Sequence, residues 1–224
     1  MDFEFTRAFE QMPPEARESF YQTVFMQDDS PYARQVRMAY YKKQLKHMGE
    51  DVTIGVGVKI VNPQYISLGD HVHIGDHATL IARGEGGITL GDHVTINDRV
   101  YLDTERADTG YIRVENDVYI GTGTTLFGHV GLEIGDHVLM AQNITLTPYS
   151  HHYEDPTRNI WEQGGHMRKV TIGRDSYVGM RVTILYTGDI GEGSVIGSGS
   201  VVVKPIPPYS VAVGNPARVI KKRE

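Results

Sequence analysis

Imidazoles are the side chains in this sequence best suited to moving a proton near neutral pH, and their placement is uneven. Ten histidines are present and no cysteine, which excludes thiolate nucleophiles, disulfides and cysteine-type zinc sites together. An imidazole, with an ordinary pKa near 6.5, is a suitable general base for a hydroxyl, a weak nucleophile near pH 7. His71, His93 and His137 each sit in the same Gly-Asp-His-Val string, and repetition at one place in a motif reads as turn structure rather than catalysis. His73 and His77 are four apart, but outside a helix that spacing does not bring two imidazoles to one ion. His151 and His152 differ from these: they stand in TPYSHHYEDPTRNIWEQGGH, a polar stretch that interrupts the rhythm of the surrounding chain.

That rhythm is a repeat of six. Aliphatic residues recur as Leu68, Ile74, Leu80; Leu90, Ile96, Leu102; Val114, Ile120, Leu126; and Ile134, Met140, Leu146, with a longer block from Ile172 through Val202. Six fits neither the 3.6 of a helix nor the two-residue alternation of an open sheet. It fits a three-sided parallel coil whose aliphatic residues point inward and whose corners carry Gly-Asp or Gly-Asn steps, the glycine supplying unusual φ. About seven coils at strand spacing make a column roughly 30 Å tall. An antiparallel sandwich would instead space its strands irregularly. Consecutive blocks begin 22, 24, 20 and 38 residues apart, so the last interval holds one long inserted loop, where chemistry tends to reside.

Three segments are expected: an N-terminal helical extension over 1–50, the β-helix over 51–204 with the inserted loop at 147–169, and a C-terminal tail over 205–224. Residues 14–27 and 31–48 have helical apolar spacing, each opened by a proline, and are expected to pack on the first coils or on a neighbouring subunit. The net charge of −6 argues against a general nucleic-acid or anionic-membrane binder. No apolar run approaches the roughly 18 residues of a membrane span, and a cytoplasmic protein is expected. Lys204, Arg218, Lys221, Lys222 and Arg223 cluster at the end of this acidic chain, as a solvated tail or a local anion site.

Three strings, NITLTPYSHHYEDP (143–156), VTIGRDSYVGMRVTIL (170–185) and IGSGSVVVKPIPPYSVAVGNPARVIKK (196–222), resemble the hexapeptide-repeat (left-handed parallel β-helix) acetyltransferases. The likeness is greatest to galactoside and maltose O-acetyltransferases and to O-acetyltransferases of polysaccharide biosynthesis, and covers about residues 50–223. The resemblance implies a mainly β, left-handed parallel β-helix, a homotrimer, and acetyl-CoA as co-substrate in a groove between subunits. It makes His151 the base that deprotonates an acceptor hydroxyl as it attacks the thioester, with His152 as its rival. It puts the pantetheine arm against Gly179, Met180, Ser198 and Gly199, and the nucleotide phosphates near Lys204, Arg218 and Lys221.

On the acceptor side, Gly121 and His129 occupy the positions of the asparagine and aspartate that hold the sugar in galactoside enzymes, a departure that points away from a galactoside or maltose acceptor. Tyr149 and Trp161 either stack on an acceptor ring or pin the loop to the column, and Asp155 completes this set. The family's tryptophan before Ile-Gly is Tyr177, its Pro-Gly-Val corner is Tyr186-Thr-Gly-Asp, and the threonine before its CoA-binding lysine is Val203. The β-helical carbonic anhydrases carry a His-x4-His pair that is lacking here, so no metal is expected. The implied function is acetyl transfer to a hydroxyl of a sugar or glycan precursor. A non-catalytic scaffold subunit and N-acetylation of an amino sugar or antibiotic stay open as alternatives.

Overall fold

The computed structural model describes residues 11–223. Its strands gather into three parallel sheets that form the faces of a three-sided coil. The first face runs from His47–Met48 to Val170–Ile172, the second from Thr53–Ile54 through Val195–Ile196 to Ser210–Val213, and the third from Lys59–Val61 to Val201–Val202. Neighbouring coils stack in register, so Leu68 lies over Leu90, Ile74 over Ile96 and Leu80 over Leu102. The six-residue aliphatic set is thereby the core itself: every one of its members is buried, and Val72, Ala78, Val94, Val100 and Val138 fill the corners between them. The architecture is a left-handed parallel β-helix of about seven turns.

Corner chemistry differs from the simplest expectation. Positive φ falls on glycine at some corners, such as Gly57 and Gly123, but in the Gly-Asp-His steps it falls on the histidine, at His71, His77, His93 and His137, each near +57°, in the left-handed region that histidine, asparagine and aspartate enter more readily than most residues. Gly69 is required for a different reason. A Cβ there would lie 2.4 Å from Asp92 Oδ1 and 2.7 Å from the carbonyl carbon of Gly91 on the next coil. The adjacent side-chain oxygens, carboxylate or amide, form a ladder in which Asp70 accepts from the Glu50 N–H, Asp92 from the Asp70 N–H, and Asn116 from the Asp92 N–H.

The extra residues all leave the coil at one corner, between the third face and the first. The first-to-second and second-to-third corners keep an almost constant length, whereas 82–87, 104–111, 128–131 and 147–169 lie on successive coils along one edge. That edge therefore carries the irregular surface of the column, and the other two edges do not.

Both ends are covered. Helix α1 (Pro14–Phe20) passes through a π-helical turn at Tyr21–Phe25, and helix α2 (Pro31–Lys42) is capped by the Ser30 hydroxyl accepting the Ala33 N–H. Helix α2 stops at Lys42, short of residue 48, because His47–Met48 is already a strand paired with Ser67–Leu68. It lies on the first coils: Arg37 donates to the Ile54 carbonyl and Tyr41 to that of Val58. At the other end the column continues beyond Val203. Ser210–Val213 pairs in parallel with Val195–Ile196 and then in antiparallel with Arg218–Lys222, so the tail is a hairpin that finishes the second face. No helix among the described residues is long and apolar enough to cross a membrane.

Candidate functional site

The irregular edge holds a continuous run of rings. Tyr101 and Phe127 lie edge to face at 6.0 Å, Phe127 and His129 likewise at 6.0 Å, His129 and Tyr149 stack at 5.4 Å and 7°, and Tyr149 meets His151 edge-on at 4.8 Å. Successive coils and the inserted loop thus contribute to one wall. Below it, Asp103 is fully buried and accepts both nitrogens of the Arg83 fork at 2.9 and 2.7 Å, the Tyr101 hydroxyl at 3.0 Å and the Glu105 N–H at 2.7 Å. Burial works to raise its pKa, but these donors outweigh it and hold the carboxyl below the usual range.

His151 stands at the top of this wall, exposed, on the strand Tyr149–His151 that pairs in antiparallel with Gly165–Met167. Its Nδ1 lies 3.2 Å from the Tyr149 hydroxyl. In the tautomer whose Nδ1–H donates to that oxygen, Nε2 is left as a free lone pair, the form a general base needs. Tyr149 is itself fixed by stacking on His129, whose imidazole is held below the ordinary histidine value by burial, against the opposing pull of Glu105 and Asp103. The His129 Nδ1 is buried without a hydrogen-bond partner among the described residues.

Strand alternation sends the next histidine to the other side. His152 faces His166 with ring centroids 3.9 Å apart, and its Nδ1 is 3.6 Å from a Glu154 carboxylate oxygen. The two neighbouring histidines of the loop accordingly belong to different surroundings.

On the donor side, the structure brings Gly179, Met180, Ser198 and Gly199 to one corner of consecutive coils. Gly199 donates to the Met180 carbonyl, and a Cβ on Gly179 would lie 2.6 Å from the Ser198 nitrogen. Met180, Ser198 and Gly199 are exposed, and a Cβ on Gly199 would meet nothing within 4 Å, so open space adjoins this corner. Lys204, Arg218 and Lys221 are exposed and form no ion pair among the described residues. Lys222 and Arg223 are engaged instead: Lys222 donates to Pro208 and Ser210, and Arg223 pairs with Asp175 at 3.0 Å.

The expected acceptor-side residues separate. His129 and Tyr149 join the ring wall. Gly121 is buried against Ala141 of the next coil, where a Cβ would lie 2.6 Å from its backbone. Asp155 turns the loop by accepting the Thr157 N–H and hydroxyl. Trp161 is 87% exposed and does not pin the loop to the column within this chain, whereas Tyr149 does. Arg83, Tyr101, Asp103 and Phe127 belong to no motif in the sequence. Their only signal is an outward aspartate beside the inward Leu102 and an outward Phe127 beside the inward Leu126.

Residues 169–204 match the family model described as hexapeptide repeat of succinyl-transferase. The chain is 36% identical over 176 residues, 77% of its length and 50% of the relative's, to a probable acetyltransferase of Mycobacterium tuberculosis. It is 37% identical over 113 residues, half of the chain and 54% of the relative, to the galactoside O-acetyltransferase of Escherichia coli K12. The chain thus spans about half the length of these curated relatives. Among solved structures, AntD, an N-acyltransferase from Bacillus cereus in complex with dTDP and 3-hydroxybutyryl-CoA, superposes with a TM-score of 0.60 at 22% identity, covering 84% of this chain and 88% of that one. With these sequence matches on a column of stacked parallel coils, the chain is a hexapeptide-repeat protein similar in sequence to acetyltransferases of that family.

Proposed function

We propose that the chain transfers an acetyl group from acetyl-CoA to a hydroxyl of a sugar or glycan precursor, as in polysaccharide biosynthesis, working in the cytoplasm as a homotrimer. The observation that carries this is the imidazole of His151, held through Nδ1 by Tyr149 at the rim of the ring wall with Nε2 free. Similarity to acetyltransferases supports the donor, and the ring wall supplies flat apolar surfaces suited to a sugar ring.

Acetyl-CoA contributes an activated thioester. His151 Nε2 takes the proton of the acceptor hydroxyl as its oxygen bonds to the carbonyl carbon. As imidazolium, His151 returns that proton to the departing sulfur, so one ester forms, one thioester breaks, and the base is regenerated. The corner of Met180, Ser198 and Gly199, exposed above the buried Gly179, suits a narrow extended arm, and the unpaired cations Lys204, Arg218 and Lys221 suit its phosphates. Among the described residues no hydrogen bond or ring contact links this corner to His151. A groove shared between subunits reconciles the two, and that is the support for the trimer. His129 and Tyr149 line the acceptor side. Trp161 and Asp155 belong to a loop that reaches toward the acceptor or the neighbouring subunit, and Gly121 contributes only by letting the coils close.

Purified protein incubated with acetyl-CoA and a panel of hydroxyl and amine acceptors is expected to release free thiol with hydroxyl acceptors. His151→Ala is expected to lower that rate about 10²–10⁴-fold with an unchanged circular dichroism spectrum. Full activity in the variant rejects His151 as base. Turnover confined to amines selects N-acetylation, and failure of the wild type to bind CoA by calorimetry selects the scaffold reading.

A further inference from the structure

The neck of the inserted loop carries a second cluster that the transfer chemistry does not use. Tyr149–His151 and Gly165–Met167 are antiparallel, with Ser150 opposite His166, and the pairing continues through the His152 N–H donating to the Gly164 carbonyl at 3.0 Å. Alternation along a strand puts Ser150 and His152 on the face away from His151, and His166 is the diagonal neighbour of His152 on that same face. Glu154, two residues on, follows it. The ligand-capable nitrogen or oxygen atoms of His152, Glu154 and His166 all lie within 4.8 Å of one another. The His166 ring is steadied from the column by stacking on Tyr186 at 5.9 Å and 3°.

From this convergence we propose that His152, Glu154 and His166 bind one divalent transition-metal ion of the zinc class, which clamps the two strands at the neck of the loop. Two imidazoles and one carboxylate are a donor set such ions favour, whereas magnesium and calcium prefer all-oxygen shells. Three protein ligands leave one position of a tetrahedron for water. Bonds of about 2.0–2.1 Å place tetrahedral ligand atoms about 3.4 Å apart, so His152 and Glu154, at 3.6 Å, are nearly in place and the remaining separations, none above 4.8 Å, close further on binding. Glu154, with 63% of its side chain exposed, makes that movement by exchanging its bond from the Tyr153 N–H for the ion. The ion takes no part in the acetyl transfer proposed above. It fixes the register of a hairpin whose opposite face carries His151, and so limits the motion of the segment between residues 152 and 166.

The segment offers its own reporters, because Trp161 is the only tryptophan of the chain and Arg158 is an exposed trypsin site within it. Chelator-treated full-length protein is titrated with zinc chloride by calorimetry, with Trp161 emission and tryptic cleavage after Arg158 followed in parallel. The expected result is one equivalent bound per chain, a change in Trp161 emission, and slower cleavage. Affinity falls tenfold or more in His152→Ala and in His166→Ala, and falls less in the milder Glu154→Gln. The double variant His71→Ala/His93→Ala, which removes a stacked histidine pair elsewhere on the column, keeps the wild-type stoichiometry and affinity. Absence of binding by the wild type overturns the proposal, and so does binding undiminished in both loop variants. An equal response to magnesium chloride does the same. Because none of these readings depends on turnover, an inactive protein that binds zinc this way leaves the site standing while refuting the transferase reading.

Discussion

Tyr149 is the residue on which the geometry of His151 turns. It touches the base through its hydroxyl and the column through its ring, so the two functions can be separated. Tyr149→Phe keeps the stack on His129 and removes only the hydrogen bond to Nδ1. A lost hydrogen bond is worth about 0.5–1.5 kcal/mol, and the expected result is a fall in kcat of about 2- to 10-fold with little change in KM or melting temperature. His129 makes a separate prediction, read from stability. Its folded pKa is lowered by burial, beneath the roughly 6.5 of an unfolded chain. Between those values the unfolded state binds more protons, so stability is complete above about pH 6.5 and declines as pH falls through the folded value. Urea titrations at pH 7.5 and 5.5 are expected to show a lower midpoint in acid, and His129→Asn is expected to reduce that difference. An undiminished difference in the variant would assign the effect to Glu105, Asp103 or other groups. The loop histidines are visible in sequence because they break a rhythm. The Arg83–Asp103 pair is not, because its members are twenty positions apart and become neighbours only when one coil is laid on the next.

Among elements, the corner is the unit that repeats, and its two special residues answer to different constraints. Gly69 is small because the following coil leaves no room, so Gly69→Ala is expected to cost about 1–3 kcal/mol by forcing the backbone of Gly91 aside. His71 is in the left-handed region, so His71→Asn is expected to be nearly neutral, while His71→Val is expected to cost about 1–2 kcal/mol. Thermal melts of the three variants test the pair of statements, and equal losses in all three would refute the separation. Inward residues are legible in sequence because a narrow interior accepts only aliphatic side chains at fixed intervals. Composition points to glycine as the source of the corner's φ, which holds at Gly57 and Gly123 but not at Gly69, since sequence does not show how closely a neighbouring coil approaches. The end of α2 is misread for a similar reason. Its helical spacing continues into His47–Met48, but pairing to Ser67–Leu68 overrides local propensity there.

For the whole molecule, the proposed assembly has a candidate surface. Outward residues of the second face and its terminal strand include Leu139, Tyr177, Val219 and Ile220, exposed by 47, 38, 43 and 60%, a series of apolar side chains of the sort that marks interaction surfaces. Sedimentation is expected to give about three times the 25.0 kDa of one chain, and Leu139→Glu combined with Tyr177→Glu is expected to shift the protein toward monomer. A wild-type monomer would refute the trimer. The hexapeptide rhythm makes the column readable at this scale, while the finishing of its ends is only partly readable. Helical spacing shows that the first helices have an apolar side without showing what covers it, and the tail's pairing with Val195–Ile196 depends on a strand fifteen or more positions away. One further consequence comes from the side-chain ladder of the corners. Each rung receives a bond from the peptide group of the rung beneath, whichever side chain that rung carries, so the lattice is largely indifferent to which rung comes next. A chain assembled this way can gain or lose an entire rung and still close on itself, and its height is free to change by duplication and deletion without redesign of what remains.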